Sequence, residues 1–131
     1  MERYLKLGKK YLSEGLELLS KGDLAQASEK LWGAAAEAVK AVADSRGWEH
    51  FTHRSLAEAV SRLYEETGDP EIPRLYASAE SLHANFYEGF ASPGLVKLYA
   101  EDAEALIEKL RQMLLKSPEN NRSSSLEVSE G

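Results

Sequence analysis

The chain has no cysteine. That excludes disulfides, thiolate nucleophiles and sulfur-based zinc sites, leaving histidine and carboxylate as the only transition-metal ligands. It also lacks any run approaching the roughly 18 consecutive apolar residues that a membrane span requires. The opening MERYLKLGKKYL carries a charge every few residues in place of an apolar stretch, so it does not read as a secretory signal. A soluble, cytoplasmic protein without membrane association is expected. Basic residues are in the minority, 16 against 22 acidic ones, for a formal net charge of −6. This balance argues against broad clamping of a phosphate backbone, although a local basic patch is compatible with it. Nowhere does strict apolar-polar alternation between turn signals announce a strand.

What is present is helical periodicity. Asp23 is placed to cap a long alanine-rich helix that Gly47 terminates. Along it Leu24, Ala27, Leu31, Ala34, Ala38 and Ala41 fall at steps of three and four, giving a face of small apolar side chains that another helix can approach closely. This is expected to be the central helix of a bundle. Ahead of it, Tyr4, Leu7, Tyr11, Leu18 and Leu19 predict a helix over Glu2 to Ser20, closed by Lys21-Gly22 and antiparallel to the next.

Thr52 is expected to cap a shorter third helix from about His53 to Thr67, with Leu56, Val60 and Leu63 inward. Asp69 as cap and Pro70 at the first helical position predict a fourth helix, with Ile72, Leu75, Ala79, Leu82 and Phe86 along its stripe. After Gly89 and Ser92-Pro93-Gly94 comes a fifth, to about Lys116, with Val96, Tyr99, Ala103, Leu106, Leu110 and Met113 on one face. From Ser117 the chain is polar and serine-rich, so a disordered tail is expected over 117–131. The fold class is therefore all-α: one domain over 1–116, an up-and-down bundle of four main helices and one short one. The first two helices could pass as one helical-repeat unit, but no second copy follows at a fixed period.

Chemistry concentrates in Ser81-Leu82-His83-Ala84-Asn85-Phe86-Tyr87-Glu88. His83 and Tyr87 are four apart and share a helix face, while Asn85 and Glu88 share another with Ser81. A partly buried, hydrogen-bonded histidine is the plainer account of His83. The sharper one is a proton-transfer or phosphate-contacting group in a groove, with Asn85, Tyr87 and Glu88 as further ligand contacts.

His50 and His53, three apart with Glu49 alongside, resemble a fragment of a metal site that lacks a third ligand, so no metal is expected. Arg46 and Arg54 make His53 and Arg54 a second choice of ligand contact. Trp32, one residue off the Leu31 and Ala35 stripe, is expected in core or dimer packing, and the acidic run Glu101, Asp102, Glu104 and Glu108 as a solvated face.

The stretch KGDLAQASEKLWGAAAEAVKAVADSRGW, the entry to the third helix and LHANFYEGF together resemble the archaeal PaREP family over residues 4 to 114. That family resembles a branch of the HEPN superfamily, helical bundles that include ribonuclease toxins, RNA-processing domains and partners of minimal nucleotidyltransferases. The resemblance implies a HEPN-like bundle that forms a homodimer and binds a nucleotidyltransferase partner, a nucleotide or RNA, without a cofactor. Nuclease members carry an arginine followed four to six residues later by histidine. Here His83 stands near the arginine position, Asn85 near a polar one, and Tyr87 or Glu88 where histidine belongs, while Arg74 lies too far away. The broken motif implies a non-catalytic interaction domain. The alternative is a divergent metal-independent ribonuclease with His83 as base and Tyr87 assisting.

Overall fold

A computed structural model describes residues 1–116, and the expected tail over 117–131 lies outside the described residues. Five helices follow in order: α1 (Glu2–Ser20), α2 (Leu24–Ser45), α3 (His53–Thr67), α4 (Glu71–Glu88) and α5 (Pro93–Leu115). No strand occurs among the described residues. None of these helices is long and apolar enough to cross a membrane.

Local chemistry sets most boundaries. The Asp23 carboxylate accepts from Gln26 N–H at the start of α2, and Gly47 just beyond its end has φ +73°. At α3, Thr52 Oγ1 accepts from Ser55 N–H at 2.9 Å and Ser55 Oγ accepts from Thr52 N–H at 3.0 Å, a reciprocal cap that satisfies two otherwise unpaired donors. Ser92 caps α5 with Pro93 at its first position. The start of α4 departs from expectation by one residue: the helix begins at Glu71 and Pro70 is the flanking residue. Asp69 still acts as expected, accepting from Glu71 N–H at 3.0 Å, because proline has no N–H to cap.

Helix α2 is the axis of the bundle and packs against all four others, while α1 packs chiefly against α2 alone. Its alanines explain why. Ala27, Ala34, Ala35, Ala41 and Ala43 are fully buried, so neighbouring backbones approach without bulky side chains between them. Gly8 and Gly15 are the only fully buried residues of α1, and a Cβ on Gly15 would fall 2.8 Å from Leu31 Cγ. The α4 stripe is rotated slightly from expectation: Ile72, Tyr76, Ala79, Leu82 and Asn85 are buried, whereas Leu75 and Phe86 are half-buried. On α5 the buried set is Val96, Ala100, Ala103, Leu106, Leu110 and Leu114, with Tyr99 and Met113 at its margin. In both helices the expected spacing is right, and the stripe's edge moves because each helix packs between two neighbours rather than against one.

A ring cluster between three helices

Three helices converge on one group of rings. Trp32 comes from α2, His53 opens α3, and His83 and Tyr87 lie one turn apart on α4. The Trp32 ring is 5.3 Å from His53 and 5.2 Å from His83, and the two imidazoles are 5.8 Å apart with planes inclined by 29°. Tyr87 meets His83 edge to face at 5.3 Å. Trp32, 8% exposed, is the floor. The side chain of His53 is 51% exposed, that of His83 31%, and Tyr87 is largely in solvent. The rings therefore form a surface step on a buried base, not a sealed interior.

Each imidazole is held by a carboxylate. His83 Nδ1 is 2.9 Å from Glu29 Oε1 of α2, and His53 Nε2 is 3.0 Å from Glu80 Oε2 of α4. Since a carboxylate only accepts, the ring nitrogen facing it carries the proton, and the other nitrogen of each ring has no hydrogen-bond partner among the described residues. No lysine or arginine is ion-paired to Glu29 or Glu80 among the described residues. The cluster can thus stack planar groups and exchange protons at two ring nitrogens. Its carboxylates repel phosphate. Beneath it Tyr76 packs 5.9 Å from Trp32 with its hydroxyl buried and without a hydrogen-bond partner among the described residues, and burial, with Glu80 adding, pushes its phenol far above the usual range. That phenol stays protonated.

Among the expected site residues, His53, His83 and Tyr87 are brought together. The others are not. Asn85 is corrected to a structural residue: it is 2% exposed, donates to Ser28 Oγ at 3.1 Å and accepts from Ala91 N–H at 2.8 Å. It closes the turn after α4 and cannot reach a ligand. Glu88 is exposed on the last turn, outside the ring group. The Arg54 side chain is 90% exposed and pairs with Glu58 along its own helix, so it forms no local basic pocket.

The histidine pair considered as a metal fragment is also separated. His50 turns inward, donating from Nδ1 to Trp48 O at 2.8 Å, so its Nε2 accepts from Tyr4 O–H at 3.0 Å. No group of three or more histidine, aspartate or glutamate side chains arranged to hold a metal ion occurs among the described residues. Trp32 is in the core as expected, yet it also touches both imidazoles. Glu29 and Glu80 escaped the sequence reading because a charged helical residue ordinarily faces solvent. A signal does exist: Glu29 precedes Trp32, and Glu80 precedes His83, by one helical turn.

Comparison with known proteins agrees with this fold. Residues 3–107 match the model of the archaeal PaREP1/PaREP8 family. The crystal structure of a protein from Sulfolobus solfataricus is 31% identical in sequence and superposes with a TM-score of 0.74, over 82% of this chain and 96% of that one. No protein of curated function matches the chain. The chain belongs to the archaeal PaREP1/PaREP8 family.

Proposed function

We propose that this domain is a non-catalytic, HEPN-like recognition module that takes the nucleobase of a nucleotide or of an RNA end on the step formed by His53, His83 and Tyr87. One observation carries the reading: exposed rings seated on buried Trp32, each imidazole fixed by a carboxylate, with no cation paired to those carboxylates among the described residues. Stacking a base on such rings contributes roughly 1–3 kcal/mol and tolerates any base. The free ring nitrogens can read its edge. Glu29 and Glu80 disfavour phosphate, so contact falls on the base and not along the backbone. The same module is proposed to pair with a second copy and to serve a nucleotidyltransferase partner, both expectations of the family resemblance.

Titrating the purified protein with nucleoside monophosphates and with short mixed RNA, beside His83→Ala and Tyr87→Ala, tests this. Each substitution is expected to weaken binding roughly tenfold, the loss of one stacked ring, with the RNA left intact. RNA cleavage that disappears in His83→Ala would overturn the non-catalytic assignment.

That outcome would favour a second reading, a divergent ribonuclease. Its supporting observation is two neighbouring imidazoles, each backed by a carboxylate, as a general acid and base require. A cation for the developing phosphorane charge would then have to come from another molecule.

A further inference from the structure

On the face of α2 away from the rings, α1 and α5 stand apart and leave a groove of about 850 Å³ whose floor includes Ala34 and Ala38. Trp32 and Ala34 are two residues apart, about 200° around the helix, so ring step and groove face opposite ways. The groove walls are apolar within: Leu5 and Leu12 from α1, Ile107 and Leu114 from α5. Leu5 and Leu12 are half-buried. An alanine floor gives the groove depth enough to receive side chains from another body.

The rims carry opposite charge. On the α1 side stand Lys6 and Lys9, with Glu2 at the end. On the α5 side stand Glu104 and Glu108, with Arg111 already bound to Glu108 at 2.9 Å. One wall is left net positive and the other net negative. A face of this kind complements itself: a two-fold axis running along the groove lays the basic wall of one copy over the acidic wall of its mate, twice.

We infer that the α1–α5 groove is the surface through which two copies of this chain pair. The inference rests on the pairing proposed above and assigns it a place. Both ring steps then face outward from the dimer.

Sedimentation equilibrium at micromolar concentration on wild type, on the Lys6→Glu/Lys9→Glu variant and on the Glu104→Lys/Glu108→Lys variant tests it. Wild type is expected at twice the 14.5 kDa chain mass. Each variant sets like charges face to face and is expected to self-associate at least roughly tenfold more weakly. An equimolar mixture of the two variants restores opposite charges on both sides and is expected to return to the dimer mass, a rescue that misfolded chains could not give.

Variants that pair as tightly as wild type would overturn the groove assignment while leaving pairing intact. A monomeric wild type would overturn pairing itself. A monomer that dimerises once residues 117–131 are removed would give the groove to the chain's own C-terminal segment, also overturning the proposal. Nucleotide titration of the same variants reports on the ring step separately.

Discussion

His53 and His83 come from different helices, yet their imidazoles lie 5.8 Å apart over one indole, and each is tied to a glutamate of a neighbouring helix. Trp32 thus joins the core to the surface site. Replacing it with alanine is expected to destabilise the fold by roughly 3–5 kcal/mol, the range for an aromatic removed from a core. Urea denaturation measures that loss. The same substitution removes the indole that both imidazoles pack on, so the ring protons of both histidines should shift in NMR spectra.

Gly8 and Gly15 lie on the same helix and should respond oppositely to alanine. At Gly8 the added Cβ would rest 3.4 Å from Glu37 Cβ, an ordinary contact, so Gly8→Ala should stabilise by about 0.5–1 kcal/mol through helix propensity. At Gly15 it would lie 2.8 Å from Leu31 Cγ and 3.2 Å from Leu31 N, so Gly15→Ala should destabilise by about 1–3 kcal/mol. Thermal melts of the two variants give the sign directly.

Asn85→Ala is expected to weaken the fold without touching recognition. It leaves the Ala91 N–H without its acceptor, at about 1–3 kcal/mol, while Ser28 loses a donor but keeps its own bond to Leu24 O. Nucleotide affinity at the ring step should stay unchanged. An Asn85 variant that is stable but fails to bind would return this residue to the site.

How much was legible in the sequence follows from the range of each interaction. Asp23, Thr52 and Ser92 act on backbone groups two or three residues away, so the caps and the helix count could be read along the chain. The alanine face of α2 is likewise local periodicity. Pairing across helices is different in kind. Nothing near His83 in the chain indicates that Glu29 will meet it, and nothing near Asn85 tells that Ser28 and Ala91 will satisfy it. A polar residue two places from a histidine looks like part of its site, whereas in a helix that step turns it to another face.

Tyr76→Phe should leave the protein at least as stable as wild type. The phenol oxygen is buried with no hydrogen-bond partner among the described residues, so its hydration is lost on folding without replacement. The denaturant midpoint measures this. A fall of more than about 1 kcal/mol would mean that the hydroxyl has a partner, such as an ordered water.

Asp69 gives a pH dependence of defined sign. Its carboxylate is 2.9 Å from Lys109 Nζ and also accepts from Glu71 N–H, and chiefly the lysine holds its pKa below the ordinary 3.8. A depressed carboxyl pKa stabilises the fold fully above the ordinary value and loses that contribution as pH falls through the lower folded value. Asp69→Asn keeps the acceptor for Glu71 and removes the charge. Its stability deficit against wild type should therefore be present at pH 6 and shrink as pH falls below 3.8, as followed by urea titration.

Because α2 is sheathed by all four other helices while α1 leans chiefly on α2, the bundle has a hierarchy of opening. The amides of α2 should be the last to exchange with deuterium, their protection reporting the global free energy of unfolding. Those of α1 should exchange far sooner, since detaching it breaks one helical contact surface and leaves the other four helices embracing each other.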